Sequence, residues 1–338
     1  MDLVEDPRAA GARAAAEAGR WERAATLWEA LAGDIQDEDG GAAVQALSLA
    51  ADAWLREDRP LAAVGALRRA MIAVGNGPGA ALLQVQLAAA LADAGQLGPA
   101  LEACRAVVET QEGGAGEREL ALDVACGLAL ERGELALATD LVDRLTDPRA
   151  RAFRAATVLR VVGRSARASA ALSVAFDAVG DHPALGGLRA ALLHEEGEQA
   201  LINGQPDDAL DAFASARAGW AEVRRRSGMF HAIAGEVRAR LARGELPLTA
   251  ELDRGVDYAG DRGLVILETD LRTTRAATRA RAGLRGVAED LGRAVELAAQ
   301  SGAALAEGRA RQQRMVLGCA EPGDADAVER LLAGTCWA

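Results

Sequence analysis

Residues 79–109 read GAALLQVQLAAALADAGQLGPALEACRAVVE, and this stretch decides the fold. Apolar residues return every three or four positions on both sides of Gly95, which predicts two amphipathic helices joined by a tight turn. Glycine accepts the left-handed backbone that ends a helix, and Pro99 is tolerated in the first turn of the next helix. Ala100 falls where the second helix comes nearest the first, so close packing favours a small side chain there.

A glycine followed five residues later by an alanine recurs along the chain. An aspartate replaces the glycine once, a threonine replaces the alanine once, and successive anchors stand 30 to 41 residues apart. A period in this range is typical of helical-repeat arrays, in which each unit packs on its neighbours. The anchor pairs are Gly19/Ala24, Asp58/Ala63, Gly95/Ala100, Gly133/Ala138, Gly163/Ala168, Gly204/Ala209, Gly244/Thr249 and Gly283/Ala288.

The anchors predict an all-α fold of about eight helix-turn-helix units. Asp147-Pro148 joins repeats four and five directly, which accounts for the shortest step between anchors. An array exposes its last apolar face unless an atypical unit covers it, so we expect Leu331, Leu332 and Trp337 to pack back on repeat eight. We expect one solenoid over residues 1–338, with repeats at about 6–33, 41–74, 80–111, 117–146, 148–179, 184–226, 228–260 and 263–300, and capping helices over 302–338.

The composition argues against an enzyme. All 38 basic residues are arginine, a bias typical of a GC-rich genome, and the absence of lysine excludes Schiff-base, P-loop and kinase-type lysine chemistry. The net charge of −12 disfavours a general nucleic-acid binder, whose affinity comes from neutralising phosphates. Carboxylate clusters such as Glu195-Glu196 are expected to be solvated. We therefore expect no catalytic residues, no cofactor and no metal.

The first residues are acidic and lack an apolar leader, and no apolar run reaches the length of a membrane span. These features favour a cytoplasmic bacterial protein. Cys104 and Cys126 fall inside helical apolar patterns and should be buried free thiols. Cys319 and Cys336 are the least unfavourable pair for a disulfide.

Small residues also recur in the middle of seven of the eight first helices, and an alanine returns twelve residues after some of the anchors. With these positions the chain resembles a tetratricopeptide repeat protein, although its period exceeds the 34 residues of that family. The longer period resembles the helical-repeat arms of LuxR-type regulators. The small residues are Ala12, Ala51, Ala88, Cys126, Ala156, Gly197 and Ala276, and the later alanines are Ala70, Ala175 and Ala216.

The resemblance implies a right-handed superhelix whose first helices line a concave groove that binds a partner. Carried over from the anchors, the early groove positions are mainly acidic and the later ones mainly basic, which predicts a bipolar groove. His194 and His231 should flank one stretch of it. The predicted groove residues are Asp52, Val85, Asp93, Asp123, Phe153, Thr157, Arg160, His194, Glu198, His231, Arg238 and Arg281.

Three functions stay open at this point. The leading interpretation is a non-catalytic interaction scaffold or adaptor that binds a segment of another protein or a peptide in its groove, without nucleic acid or membrane. The resemblance suggests signalling or transcription regulation as its setting. The first alternative is a sensor of a small molecule or peptide signal, with His194, His231 and Phe153 lining an enclosed apolar pocket. The second is self-assembly, in which a homo-oligomer forms through the terminal repeats.

Overall fold

The computed structural model describes residues 3, 6–75, 77, 79–109, 113–180, 182–246 and 250–338. Within these ranges the chain forms eighteen α-helices and two short 3₁₀ turns, and no strand. The predicted all-α repeat fold is confirmed. Thr249, the second residue of the seventh anchor pair, lies outside the described residues. None of the helices in those ranges combines the length and the apolar character required to cross a membrane.

The chain divides into two compact units, unit 1 with residues 1–124 and 262–264, and unit 2 with residues 125–261 and 265–338. Unit 1 contains α1 (Ala10–Glu17), α2 (Trp21–Ile35), α3 (Gly40–Arg56), α4 (Pro60–Val74), α5 (Ala80–Asp93), α6 (Leu97–Glu109) and the first part of α7 (Ala115–Glu131). Unit 2 contains the end of α7, then α8 (Leu135–Arg144), α9 (Pro148–Val161), α10 (Ser165–Val179), α11 (Gly186–Ile202), α12 (Pro206–Glu222), α13 (Arg226–Ala242), α14 (Ala250–Arg262), α15 (Val265–Arg281), α16 (Val287–Ser301), α17 (Ala304–Val316) and α18 (Asp324–Leu331).

All eight anchor residues adopt the left-handed backbone, with φ between 56° and 81°. At Gly95 the turn is closed by two backbone hydrogen bonds, from the Gly95 N–H to the Ala92 carbonyl at 2.9 Å and from the Gln96 N–H to the Leu91 carbonyl at 2.8 Å. This pair of hydrogen bonds is typical of the glycine-containing motif that satisfies the last carbonyl groups of a helix. Asp58 adopts the same conformation, which short polar side chains tolerate better than most.

Six of the anchor alanines are fully buried, as their packing role predicts. Ala288 is exposed, so its predicted role is wrong. The reason is a second left-handed residue, Gly286 at φ 90°, which delays the start of α16 to Val287. Leu291, fully buried, lies on the packed face of α16.

Three consecutive helices of unit 2 approach closely around one aromatic ring. Phe213 of α12 is fully buried, and Gly197 of α11 and Gly235 of α13 both face it. A Cβ atom would lie 2.8 Å from the Phe213 ring at Gly197 and 2.4 Å at Gly235, so only glycine fits without a shift. The same ring contacts His194 with a centroid distance of 5.2 Å, which holds this histidine of α11 in place.

The last residues of the chain pack differently from the prediction. Leu332 is fully buried against Gly308 of α17. This leucine therefore covers an apolar face as predicted, but it packs on the helix that follows repeat eight. The segment 333–338 then extends to α9, where the Cys336 N–H donates to the Val161 carbonyl at 2.7 Å. Trp337 consequently lies near α9 and α17 instead of on repeat eight, because this hydrogen bond directs the segment towards α9.

All four cysteines are free thiols. Cys104 and Cys126 are buried in the helix pairs, as predicted from their apolar surroundings. Burial raises the pKa of the Cys104 thiol to about 12, so it stays protonated and unreactive at neutral pH. The bridge considered between Cys319 and Cys336 is not formed.

Candidate functional site

Unit 2 contains a cavity of about 240 Å³ on the side formed by the first helices of its repeats. The end of α7 and helices α9, α11, α13, α15 and α17 contribute the walls, and Trp337 of the segment 333–338 completes them. Most of its lining residues carry polar or charged side chains, which differs from the apolar pocket considered for a sensor. Its polar and aromatic residues are Glu131, Thr157, Arg160, His194, Glu195, Glu198, His231, Arg238, Thr269, Asp270, Thr273, Arg309 and Trp337.

A buried ion pair joins Arg160 of α9 to Glu195 of α11. The Arg160 Nε and Nη2 atoms both donate to the carboxylate, the second at 3.3 Å, and both side chains are more than nine-tenths buried. Burial opposes the charge, but the attraction of Glu195 outweighs it and raises the pKa of Arg160. The expectation that Glu195 is solvated is therefore wrong, because this carboxylate is the buried counter-ion of Arg160.

A second cluster centres on Arg238 of α13. Its guanidinium donates to Glu198 of α11, to Asp270 of α15 at 2.7 Å and to the Thr274 hydroxyl at 3.3 Å. Burial would raise the pKa of Glu198, yet Arg238 and the other nearby cations lower it to about 2. Against the same effect of burial, Arg238 and His231 hold the pKa of Asp270 below its usual range. One arginine thus connects three successive first helices through ionised carboxylates.

The two histidines lie together in the cavity, with ring centroids 6.1 Å apart. His194 Nε2 is 3.9 Å from a Glu198 oxygen, and His231 Nδ1 is 3.7 Å from an Asp270 oxygen. Burial lowers the pKa of His194 to about 4, so its ring is neutral near pH 7. A neutral imidazole carries one donor and one acceptor, which suits recognition of a polar ligand.

Some polar groups of the cavity keep unused hydrogen-bonding capacity. Arg160 Nη1, His194 Nδ1 and Arg238 Nε are buried and make no hydrogen bond within the described part of the chain. The side chains of Arg309 and Glu131 form no ion pair or hydrogen bond among the same residues. Burial raises the pKa of Glu131, although Arg309 partly offsets this effect. The cavity can therefore offer both donors and a carboxyl group to a ligand.

The structure brings half of the predicted groove residues into this cavity, namely Thr157, Arg160, His194, Glu198, His231 and Arg238. Phe153 instead packs in the hydrophobic core beside Leu172 and Leu188, because its ring lies on the face of α9 that contacts α10 and α11. Arg281 is exposed and donates to the Gly244 carbonyl at 3.3 Å. Sequence reasoning missed Glu131, Glu195, Asp270, Arg309 and Trp337 as cavity residues.

The predicted groove residues of unit 1 have varied surroundings. Asp52 is exposed and pairs with Arg56 at 2.9 Å, one turn along α3. Val85 is only 5% exposed, so it is a packing residue and not a groove residue. Asp93 and Asp123 are half-buried.

The charges of Arg160 and Arg238 also differ from those of the predicted basic end, because each arginine is neutralised locally by buried carboxylates. These two positions supply buried ion pairs rather than a free positive surface.

The left-handed anchors, the buried alanines and the paired helices define this chain as a helical-repeat protein of the tetratricopeptide type, with a polar cavity in unit 2. A crystal structure of a Rap protein complexed with competence and sporulation factor has a similar fold, with a TM-score of 0.67 and 14% sequence identity over 97% of this chain and 96% of the Rap chain. At this identity the similarity shows the shared fold.

Two further solved structures superpose less well. A tetratricopeptide repeat protein from Parabacteroides merdae gives a TM-score of 0.41 at 11% identity over 86% of this chain and 98% of that one. The tetratricopeptide domain of P58(IPK) gives 0.29 at 12% identity over 99% and 98% of the two chains. No protein-family model matches the sequence, and no curated protein matches it.

Proposed function

We propose that this chain is a non-catalytic interaction scaffold that senses a small polar ligand or a short peptide in the cavity of unit 2. The observation that carries the proposal is the convergence of charged first-helix residues on one cavity, where Arg160 Nη1, His194 Nδ1 and Arg238 Nε are buried and make no hydrogen bond within the described residues. Buried polar groups without hydrogen-bond partners are costly, so a ligand that pairs with them gains affinity. A partner surface alone would not need such groups in a recess.

The size of the cavity limits what can enter it. Ligand pockets generally measure about 300 to 1,000 Å³. At about 240 Å³ the cavity holds a small metabolite or one or two residues of a peptide, and is too small for a folded domain or a whole helix. A longer peptide could place only its end or one side chain inside.

The hydroxyl groups of the cavity support binding over catalysis. Thr157, Thr269 and Thr273 each donate their hydroxyl hydrogen to a carbonyl four residues earlier in the same helix, at 3.1, 2.9 and 2.8 Å. A nucleophilic hydroxyl instead needs a neighbouring base that accepts its proton. These threonines therefore contribute to the shape and the polarity of the cavity wall.

The position of the cavity allows a bound ligand to affect the surface that a partner protein contacts. Its walls come from successive first helices, which also pack on the outer second helices through tight contacts such as the Phe213 ring between Gly197 and Gly235. A ligand held by several walls stabilises one arrangement of these helices, and any partner that prefers this arrangement binds more tightly. The Rap protein of the same fold was crystallised with competence and sporulation factor, which supports a signal-binding role.

A thermal-shift screen with amino acids, short peptides and small organic acids and amines tests the proposal. A ligand present at 100 times its dissociation constant stabilises the folded protein by about 2.7 kcal/mol, which is readily measured. Thr157→Phe fills the cavity and should remove the shift. The matched control is Thr139→Phe, because Thr139 makes the same helix-internal hydrogen bond, at 2.9 Å to the Leu135 carbonyl, but is exposed on α8. Ligands that stabilise both variants equally would contradict a cavity site.

A further inference from the structure

The segment 333–338 crosses one side of the cavity without forming a helix. In the described part of the chain two hydrogen bonds connect it to other helices. The Cys336 N–H donates to the Val161 carbonyl of α9 at 2.7 Å, and Gln312 Nε2 of α17 donates to the Trp337 carbonyl at 2.8 Å. Both bonds use the backbone of the segment, so they hold its path without depending on the Trp337 side chain.

The Trp337 ring lies against two of the three arginines of the cavity. The guanidinium carbon of Arg309 is 5.0 Å from the ring centroid, and that of Arg160 is 5.9 Å from it. Both distances fall in the range of attraction between a cation and an aromatic face. The indole has an N–H donor and no hydrogen-bond acceptor, so the ring covers the arginines without satisfying their donors.

The arginines beside this ring are only partly satisfied. Arg160 Nη1 is buried and has no acceptor within the described residues, whereas the rest of its guanidinium binds Glu195. Arg309 forms no ion pair in the same part of the structure, and its guanidinium lies over the indole ring. A ring alone supplies neither an acceptor for Arg160 Nη1 nor a counter-charge for Arg309, while a ring that carries an anionic oxygen supplies a charge-assisted hydrogen bond as well.

We propose that Trp337 is an internal occupant of the cavity, and that the ligand which replaces it is an aromatic ring bearing a carboxylate or another anionic group. The inference rests on the proposed ligand site and names its ligand class and its regulation. In the structure the indole covers Arg160 and Arg309. The ligand displaces it, keeps the contact between ring and cation, and adds the missing acceptor, so the segment 333–338 moves away from α9 as the ligand enters.

Binding of N-acetyl-L-tryptophan, measured by isothermal titration calorimetry, tests both parts of the inference. Removing the internal competitor with Trp337→Ala should tighten binding about tenfold relative to the unchanged protein, because the loss of one such contact has this magnitude. N-Acetyl-L-tryptophanamide carries the same ring and the same blocked amine without the anion, and should bind the variant at least about tenfold more weakly, since a hydrogen bond to a charged group contributes at least this factor. In the double variant Arg309→Gln, Trp337→Ala, the acid and the amide should bind with equal affinity.

The matched control is Trp21→Ala in unit 1. Trp21 is also half-buried and also lies against a guanidinium, with the Arg56 carbon 4.9 Å from its centroid, so its removal perturbs a similar contact away from the cavity. This variant should bind N-acetyl-L-tryptophan as the unchanged protein does.

Alkylation of Cys336 by iodoacetamide supplies a test that needs no variant. Saturating N-acetyl-L-tryptophan should speed alkylation at this half-buried thiol severalfold, because the segment leaves α9, and should leave the half-buried Cys319 unchanged. Equal affinity of Trp337→Ala and unchanged protein, together with an unchanged Cys336 rate, overturns the internal-occupant role. Absence of binding to Trp337→Ala overturns the ligand class. In either case the proposed function still stands if other ligands stabilise Thr139→Phe but not Thr157→Phe.

Discussion

Replacing Arg238 with methionine removes the guanidinium that donates hydrogen bonds to both Glu198 and Asp270. The two carboxylate side chains are only 11% and 21% exposed, so neither is readily rehydrated. In the intact protein the pKa of Glu198 is lowered from its ordinary 4.5 to about 2, a change that corresponds to about 3 kcal/mol. Breaking a buried pair from one side generally costs about 3 to 5 kcal/mol. We therefore expect Arg238→Met to destabilise unit 2 by about 3 kcal/mol at pH 7.

Native-state hydrogen exchange of α11, α13 and α15, followed by mass spectrometry, measures this loss within unit 2. The lowered pKa of Glu198 contributes stability above pH 4.5 that disappears as the pH falls towards 2, so the difference between variant and unchanged protein should narrow below pH 4.5. Arg281→Met is the control, because Arg281 is exposed, and should change the opening free energy by less than about 0.5 kcal/mol. If Arg238→Met lost less than about 1 kcal/mol at pH 7, the cluster would not be the buried, interdependent network described here.

Gly235→Ala should destabilise unit 2 by about 1 to 3 kcal/mol, because the added methyl group meets the Phe213 ring at 2.4 Å. Gly292→Ala meets nothing within 4 Å and should raise the free energy of unfolding by about 0.5 to 1 kcal/mol, measured by urea denaturation. Gly204→Ala also meets nothing but holds φ at 71°, so the same measurement should give a loss of about 1 to 2 kcal/mol from backbone strain alone. Because burial lowers the pKa of His194 from 6.5 to about 4, the unfolded chain binds a proton that the folded chain rejects, and the protein should lose about 2 kcal/mol relative to His194→Leu between pH 7 and pH 5. Parallel pH profiles of the two proteins would contradict that assignment.

The repeat fold was predictable because its determinants are local. A left-handed residue at each anchor and an alanine on the buried face of the next helix are encoded within a few positions, and both recur with the repeat. The sequence was misleading at Ala288, where Gly286 supplies a second left-handed residue and shifts the start of the helix. A spacing that is counted from the first glycine does not reveal that a second left-handed residue follows it.

Part of the cavity was also predictable from spacing. Asp270 stands thirteen residues before its anchor, as His231 does, and Glu131 stands two residues before its anchor, as Asp93 does. Counting these offsets would have found both carboxylates. Trp337 carries no such signal, because it reaches the cavity only after the segment 333–338 packs against α9.

Charge pattern alone was a poor guide to the electrostatics of unit 2. Arg160 and Arg238 suggested a basic stretch of groove, yet each is paired with a carboxylate from a neighbouring first helix, Glu195 in one case and Glu198 in the other. Pairs of this kind form between residues 35 and 40 positions apart, so helix-internal spacing rules do not detect them. Because these arginines are paired with carboxylates, the cavity offers individual hydrogen-bonding groups and not a broad positive surface. This property favours a small ligand over a long charged partner.

The location of a bound ligand tests the central claim most directly. We would determine the crystal structure of the protein with the compound that gives the largest thermal shift. The account predicts ligand density in the cavity, within hydrogen-bond distance of at least one of Arg160 Nη1, His194 Nδ1 and Arg238 Nε, the buried groups that make no hydrogen bond within the described part of the chain. Density for that compound on another surface, with the cavity unoccupied by it, would contradict the account.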